Sequence, residues 1–561
     1  MKRCFLLAFL FVISFVLPWR ASAQAPTIGA GGIINAASNA LPGMPNSGIA
    51  QGSMFLIFGD NMGPAALVQA STFPLPTSAG LAGTSVRATV GGTTVDCIMF
   101  YTSKFQVAAA LPSNTPVGAG TLTVTYNGQT SAPASFTVVR SAFGTFAVNS
   151  AGSGPGVLQN FISQTEQPVN GLTRPARPGQ TLILWGTGLG PLTVSGNEAG
   201  GAGFGVNLTN VNVRVYVGDK EATVTYRGRS GCCVGVDQVV FTVPSGVSGC
   251  YVPVSLVIDN VVSNYTSISV AESGNTCSDP NGFSSADLQT AQTNGGLRYG
   301  ALSLSRSKSS FSIPGFGTIN STSDIGSGLF FSYNLTQLET AQGTSPALGS
   351  CMVSVYRVPG SATDPILPNY LDAGAQINLA GPGGAKQLVK STPAGTILYF
   401  ATLGQTDPLG GPGSLYLSPG NYTFSGTGGT GVGPFQVTHN HVDNFTWTNE
   451  AEITAVARSN SLTVRWTGGD PSGFVYIAGS STNVAGNAGA SFYCFANQSA
   501  GSFSVPPSVL LAIPVSTSIS GVPSGALIVG SVSSTTRFAA TGIDFGFVNS
   551  LEQVVKLVDY Q

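Results

Sequence analysis

LILWGTGLGPL, residues 182–192, joins an apolar run typical of a buried strand to a glycine-rich turn. A G-x-G element at the end of a strand is one mark of a nucleotide-binding loop, in which a helix follows and its N-terminus faces the phosphate. Here Pro191-Leu192-Thr193-Val194 follows, which favours a strand or a loop over a helix. The stretch therefore predicts a structural corner of a β-sheet, with a nucleotide site as the alternative.

An earlier stretch, MFLIFGDNMGPA at residues 54–65, repeats the pattern 127 residues upstream. The offset becomes 132 further along, since the second copy carries five extra residues between Gly218 and Gln238. Order-preserving similarity of this kind predicts tandem domains. The first copy lacks the G-x-G element, so what the copies share is a strand turned by glycines, as at a sandwich corner. The shared turn glycines are Gly59, Gly63, Gly186 and Gly190.

Short alternating runs dominate each copy. Residues 121–126 alternate, and Asn127-Gly128 then supplies the pair that a two-residue hairpin favours. Residues 134–139 predict the next strand. Each copy spans somewhat more than a hundred residues, the size of an immunoglobulin-like sandwich. Helix formers are scarce, so the fold class predicted is all-β, with tandem immunoglobulin-like β-sandwich domains and one short connector helix.

The runs at residues 35–43, 48–64, 105–112, 175–192 and 237–247 resemble the tandem repeats of uncharacterised exported proteins of Solibacter-type soil bacteria. Those repeats are similar to TIG-type immunoglobulin-like domains. The resemblance covers residues 30–272. It implies a fold and an exported location, and it implies no catalytic residue.

The first residues predict export. Lys2 and Arg3 precede an apolar run, and Ala21-Ser22-Ala23 offers a cleavage site, so residues 1–23 are interpreted as a signal peptide. We expect an extracellular or cell-surface protein, with the periplasm as a further location. No membrane span is expected in the mature chain, because four prolines interrupt the long uncharged run at residues 503–532.

Charge is scarce along the whole chain. Charged residues make up 8% of the sequence and the net charge is -1, which gives no electrostatic basis for binding nucleic acid. Hydrophobic residues reach 42%, enough to bury several cores. The expected partners are extracellular polysaccharide or a surface protein.

The chain is divided into four β domains in a row. We predict repeat 1 at residues 24–144, repeat 2 at 145–272, a linker with a short helix at 273–296, and two further sandwiches at 297–443 and 444–561. Ser284 and Asn294-Gly295 mark the ends of the connector helix. In the third domain, residues 415–417 and 422–424 predict a hairpin, and in the fourth Leu462, Val464 and Trp466 share one strand face.

Seven cysteines remain after removal of the signal peptide, in a compartment where disulfides persist. Cys97 aligns with Val224 of the second copy and is expected to be a buried free thiol. Cys232 and Cys233 are expected to bond Cys250 and Cys277 in an undetermined order, with a metal site as the alternative. The fifth and sixth disulfide candidates, Cys351 and Cys494, would tie the last two domains together.

Two histidines are present, and they lie close together. His439, His441 and Asp443 alternate on one strand, so their side chains share a face and form a candidate metal site; an exposed polar strand is the preferred interpretation. Glu450 and Glu452 are predicted on a solvated strand face. No cofactor is expected.

No catalytic constellation is found in the sequence. There is no G-x-S-x-G element and no evident pair of carboxylates across a cleft. The function predicted is therefore non-enzymatic: surface adhesion, matrix building or binding of glycan polymers. The alternative is a carbohydrate-active or other hydrolase whose active module lies in residues 297–561.

Overall fold

The computed structural model describes residues 24–193, 196–200, 205–280, 282–315, 317–341, 345–357, 368–406 and 413–561. Strands account for 51% of the described residues and helices for 6%, which confirms the all-β prediction. The predicted signal peptide, residues 1–23, lies outside the described residues. Among the helices of the described part, none is long and apolar enough to cross a membrane.

The first unit is a sandwich of two sheets. Its strands are β1 (Thr27–Asn35), β2 (Ile49–Ala50), β3 (Met54–Asp60), β4 (Val68–Gln69), β5 (Thr84–Val90), β6 (Thr93–Asp96), β7 (Ile98–Thr102), β8 (Gln106–Ala110), β9 (Gly118–Tyr126), β10 (Gln129–Thr130) and β11 (Ala134–Val139). One sheet has the order β1-β3-β8-β7-β4 and the other β2-β11-β9-β5-β6, with β10 beside β9. Asn127 and Gly128 both have positive φ in the β9–β10 turn, as the predicted hairpin requires.

The second unit repeats most strands of the first. Its strands are β12 (Gly144–Thr145), β13 (Leu158–Asn160), β14 (Thr181–Thr187), β15 (Val206–Asn207), β16 (Val213–Val217), β17 (Lys220–Arg229), β18 (Asp237–Thr242), β19 (Gly249–Ile258), β20 (Val261–Val262) and β21 (Thr266–Val270). Strand β14 lies 127 residues after β3, and β20 lies 132 after β10. β17 is continuous where the first unit has β6 and β7, so the second unit forms one ten-stranded sheet. The tandem arrangement is confirmed.

The linker carries the predicted helix, α1 (Ser285–Asn294). Ser284 and Asp287 form a reciprocal capping box at its start, and Gly295 closes it in the left-handed conformation. Leu288 and Ala291 pack with Cys250 and Cys277 in a small core between the second unit and the strands that follow. Two shorter helices were not predicted, α2 (Leu335–Thr340) and α3 (Pro507–Leu511).

The remaining strands build a fifteen-stranded sheet and a three-stranded sheet. They are β22 (Gly296–Ile313), β23 (Gly317–Asn334), β24 (Cys351–Arg357), β25 (Asn369–Tyr370), β26 (Gln376–Gly381), β27 (Gly384–Ser391), β28 (Leu398–Gln405), β29 (Gly420–Gly426), β30 (Phe435–His441), β31 (Thr446–Trp447), β32 (Ala455–Val456), β33 (Leu462–Thr467), β34 (Phe474–Thr482), β35 (Ala488–Asn497), β36 (Ser502–Val505), β37 (Gly525–Val532), β38 (Thr536–Phe538) and β39 (Phe545–Tyr560). Short 3₁₀ turns lie at Glu198–Gly200, Pro393–Gly395, Glu450–Glu452 and Gln498–Ala500.

The large sheet runs through both predicted halves of this region. Its order is β24-β35-β34-β37-β39-β22-β23-β28-β27-β26-β29-β30, and the central pair β22 and β39 is parallel, with Tyr299 opposite Phe545. The predicted boundary between residues 443 and 444 therefore falls within a region whose strands share one sheet. Two cores lie along it: one contains Phe330 and Tyr422, the other Trp466 and Phe492.

Contacts join the first unit to the last strands of the chain. Leu41 and Met44, from a loop of the first unit, are buried in the core that contains Trp466. Asn483 of the β34–β35 turn donates a hydrogen bond to the carbonyl oxygen of Pro42 at 3.3 Å. The first unit thus packs against the last strands of the chain.

Two local predictions in this region are wrong. Residues 415–417 form no strand, because the backbone N–H groups of Tyr416 and Leu417 donate to the buried carboxylate of Asp324 at 2.7 and 2.8 Å and are not available to a sheet. Glu450 and Glu452 lie in a 3₁₀ turn instead of a strand. Their accessibility agrees with the solvated position expected, since neither is buried.

Candidate functional site

The glycine turn at residues 186–190 does bind an anion, and the anion is a side chain of the protein. The N–H groups of Gly188 and Leu189 both donate to Oδ2 of Asp237, each at 2.8 Å. Asp237 begins β18 and is fully buried. No helix follows the turn over the described residues 188–193. The turn is a structural corner, as predicted, and its donors are already occupied.

The first repeat satisfies the equivalent turn without a buried carboxylate, since the N–H of Asn61 donates to Oδ1 of the exposed Asp60 at 2.9 Å. Met62 donates to the carbonyl oxygen of Lys104 at 2.9 Å, and Gly59 donates to that of Phe105 at 3.1 Å. A Cβ on Gly59 would lie 1.9 Å from the oxygen of Thr27, and one on Gly186 would lie 2.3 Å from that of Gly144. Both glycines are therefore required where the first strand of the repeat crosses β3 or β14.

Arg229 completes the corner and joins the two repeats. Its guanidinium lies 3.2 Å from Asp237, with both side chains buried. It also donates to the carbonyl oxygens of Gly52 in the first unit and Gly190 in the turn. Burial raises the pKa of Asp237, while Arg229 and the two turn amides offset part of that rise. This pair was not predicted, although the sequence carries a charged residue at each end of the five-residue insertion.

All six disulfide candidates are bonded, but the pairing expected for four of them is wrong. Cys232 bonds Cys233, its neighbour, and Cys250 bonds Cys277. Cys250 and Cys277 meet in the small core around α1, whereas Cys232 and Cys233 lie in the β17–β18 connection. Cys351 bonds Cys494, which it faces across β24 and β35, as predicted. The bonds are typical of proteins outside the reducing cytosol.

Cys97 is a buried free thiol, as predicted. Burial raises the pKa of its thiol, so the reactive thiolate is disfavoured. The residue packs in the first unit's core with Phe55 and Val107. It acts there as a small apolar side chain.

The candidate metal site is not assembled. His439 and His441 share a face of β30, but both are buried, so the expectation of an exposed polar strand is wrong. The sheet curls until β30 lies against β38, and His439 Nδ1 is 2.9 Å from Thr536 Oγ1. Asp443 instead forms an ion pair with Arg306. Among the described residues no group of three His, Cys, Asp or Glu side chains could hold a metal ion.

A buried charge cluster surrounds Arg306 and was not predicted. Arg306 donates to both carboxylate oxygens of Asp324, at 2.8 and 2.9 Å, and to Asp443. Asp443 shares a hydrogen bond with Glu552, and burial raises the pKa of Glu552 to about 8. Burial also lowers the pKa of His441 to about 4. Glu552 is 5% exposed, so its carboxyl group has a structural position.

An aromatic cavity of about 290 Å³ lies where the second unit, the linker and the large sheet meet. Tyr299 is parallel to Phe545 within 10°, with ring centroids 5.6 Å apart, and to Tyr333 within 9° at 6.2 Å. Phe283, which precedes α1, meets Tyr299 edge-on at 5.7 Å. The large sheet and the linker thus surround the cavity with ring faces and edges. The aromatic side chains that line it are Tyr251, Phe283, Tyr299, Tyr333, Phe495, Phe545 and Phe547.

Strand register explains why these rings converge. Tyr299 on β22 lies opposite Phe545 on β39, and Ala301 lies opposite Phe547. Alternate residues of a strand point to the same face, so Phe545 and Phe547 project together beside Tyr299. The sequence gives no local sign of the cluster, because its members come from segments almost three hundred residues apart.

Two charged side chains line the cavity. The carboxylate of Asp279 accepts a hydrogen bond from the N–H of Cys250 at 3.1 Å, and no Lys, Arg or His of the described residues forms an ion pair with it. Burial raises the pKa of Asp279 to about 6. Arg537 stacks on Phe545 with 4.5 Å to the ring centroid and donates twice to Asp287, at 2.9 and 2.7 Å. Asp287 therefore balances the charge of Arg537.

The cavity can bind a small polar ligand with apolar faces. Ring faces provide stacking surfaces, while Asp279 and the hydroxyls of tyrosine and Thr535 provide hydrogen bonds. Its volume of about 290 Å³ lies just below the roughly 300–1,000 Å³ typical of ligand sites. The described lining contains one carboxylate, whereas both usual mechanisms of glycoside hydrolysis use two.

Comparisons with known proteins complete the description. No family model and no curated protein sequence matches the chain. Among solved structures, domains 5–6 of the S-layer protein SbsC are 12% identical, cover 44% of this chain and 100% of their own, and have a TM-score of 0.17. A tandem of Ig domains from titin is 9% identical, with 40% and 90% covered and a TM-score of 0.11. SGBP-B of Bacteroides ovatus, solved with a mixed-linkage heptasaccharide, is 12% identical, with 77% and 78% covered and a TM-score of 0.13.

Values this low carry no argument about function. The assignment of the protein as a multidomain β-sandwich protein rests on its own sheets and strand order.

Proposed function

We propose that this is an exported, non-enzymatic protein that binds a glycan in its aromatic cavity. The observation that carries the proposal is the combination of ring faces with one carboxylate and several hydroxyls around a single cavity. Sugar rings present apolar C–H faces and polar edges. A cavity of this composition can stack against the first and hydrogen-bond to the second.

The rest of the molecule supports this function. The three disulfides suit an extracellular location, where polysaccharides are encountered. The sandwich units hold loops and junctions in fixed positions, since each has a packed core of its own. With charged residues at 8%, the protein offers few of the ion pairs that binding an anionic polymer requires.

A glycan array probed with the mature chain tests the proposal. Saturable binding is expected, and Phe547→Ala should weaken it about tenfold, because loss of a stacked ring costs roughly 1–1.5 kcal/mol. Phe105→Ala, which removes an exposed ring of the first unit, is the matched control and should bind as the unaltered chain does.

Turnover is measured on the same samples with a panel of polysaccharide substrates. The proposal expects bound glycan to be recovered intact. Release of shortened products would support a hydrolase in residues 297–561 instead. Binding that is unchanged in Phe547→Ala would place the glycan site outside the cavity.

A further inference from the structure

We propose that the sugar unit bound in the aromatic cavity carries a protonated amine, so that the ligand is a glycan of amino sugars. This inference rests on the proposed function and names its ligand class. It comes from the juxtaposition of an unpaired carboxylate with several ring faces, in a cavity whose other charge is already neutralised.

Asp279 supplies a negative charge whose position is fixed by the fold. Its backbone N–H donates to the carbonyl oxygen of Phe283 at 2.9 Å, which fixes the main chain beside the cavity. Its carboxylate is held by the N–H of Cys250 and lies against Gly249, where a Cβ would come within 2.8 Å of Oδ1. The carboxylate is thus positioned by the fold. A partly buried carboxylate with a single neutral donor is poorly compensated, and a cationic ligand would supply the missing partner.

The aromatic ring faces of the cavity provide a second attraction for a cation. The face of an aromatic ring carries negative electrostatic potential and attracts a cation that lies over it. Arg537 already occupies one such face, that of Phe545, at 4.5 Å. The ring faces of the cavity that no other ring covers add to the negative potential of Asp279. An ammonium group would gain from both the carboxylate and the rings.

Arg537 does not cancel the negative potential of Asp279 and the ring faces. Its guanidinium makes two hydrogen bonds to Asp287, whose side chain is 9% exposed, and Asp287 is itself fixed by the capping box of α1. The pair Arg537 and Asp287 is neutral as a unit. Asp279 therefore sets the charge that a ligand meets.

The hydroxyl groups that line the cavity favour an amino sugar over a simple amine as the ligand. Tyr299 and Tyr333 hydrogen-bond to each other, whereas Tyr251 and Thr535 line the same cavity and can donate to or accept from the hydroxyls of a pyranose. A quaternary ammonium ligand would leave these groups without partners, which costs binding free energy when they are desolvated.

Isothermal titration calorimetry of the full mature chain tests the inference with three tetramers: glucosamine, N-acetylglucosamine and glucose. The glucosamine tetramer should bind at least about tenfold more tightly than the two neutral tetramers. Asp279→Asn should abolish that preference and leave the neutral affinities unchanged. Asp259→Asn, which removes an exposed carboxylate from the β19–β20 turn, should keep the preference.

The outcomes separate the two proposals. Equal affinity for charged and neutral tetramers, with all binding lost in Phe547→Ala, would overturn the amino-sugar inference and leave glycan binding standing. Binding of no tetramer, together with an empty glycan array, would overturn both. Tighter binding of tetramethylammonium than of the glucosamine tetramer would also overturn the inference.

Salt dependence of the unaltered chain provides a test that needs no variant. The affinity for the glucosamine tetramer should fall several-fold between 50 and 500 mM NaCl, while the affinity for the glucose tetramer should not change. Identical salt dependence for both would contradict the inference even if Asp279→Asn failed to fold.

Discussion

Asp237→Asn should loosen the corner at residues 188–190 far more than its small change in volume suggests. Asp237 is fully buried, its Oδ2 accepts two turn amides at 2.8 Å, and its carboxylate lies 3.2 Å from the buried guanidinium of Arg229. Asparagine can still accept from the turn through its carbonyl oxygen. It cannot balance Arg229, and leaving a buried charge unpaired costs about 3–5 kcal/mol.

Hydrogen exchange is the appropriate assay, because a chain of several packed units does not unfold in one transition. A cost of about 3–5 kcal/mol corresponds to roughly two to four orders of magnitude in the protection of the Gly188 and Leu189 amides. Glu221→Gln is the matched control, since it breaks a pair with Arg214 in the same unit whose partners are each about half exposed. We expect less than about 1 kcal/mol there.

A double variant isolates the cause. Arg229→Met removes the orphaned charge, so Asp237→Asn combined with Arg229→Met should be less damaging than Asp237→Asn alone. Protection of the turn amides in Asp237→Asn equal to that in Glu221→Gln would refute the argument that Asp237 is the anion bound by this turn.

Three further predictions concern stability and binding. Glu552 has a pKa of about 8 in the folded protein and about 4.3 when unfolded, so between these pH values the folded state binds one proton more than the unfolded state. The melting temperature should therefore fall as pH rises from about 5 to 8, and Glu552→Gln should flatten this decline. Asp279 has a pKa of about 6; Tyr251 faces it across the cavity, and Arg537 is paired with Asp287. The affinity for a cationic sugar, measured by calorimetry, should therefore rise as pH increases from about 5 to 7, and Asp279→Asn should remove that rise. Gly186→Ala should lower the melting temperature through a clash worth about 1–3 kcal/mol, whereas Gly205→Ala, with its nearest atom 3.4 Å away, should not.

The strands of the two repeats could be predicted because their signals are local and occur twice. β14 occupies the same positions as β3 at the offset read from the sequence, and the Asn127-Gly128 turn needed only two residues to specify it. The run at residues 415–417 shows the limit of this reasoning. Tyr416 and Leu417 are both buried, and the distant carboxylate of Asp324 holds their amides outside any sheet.

The candidate site could not be predicted, since its parts meet only through long-range pairing. The parallel alignment of β22 with β39 brings Phe545 and Phe547 beside Tyr299, and no feature near these residues specifies that register. The pairing of Cys232 with its neighbour Cys233 has the same origin, because the position of Cys250 beside Cys277 depends on how the linker packs.

The crystal structure of the mature chain grown with the best glycan from the array tests the central claim most directly. We predict a sugar ring inside the aromatic cavity, with its face against Phe547 or Tyr333 and a polar substituent within hydrogen-bonding distance of Asp279. A glycan bound at the outer loops of the sandwiches, or one whose glycosidic bond lies between two carboxylates, would contradict it.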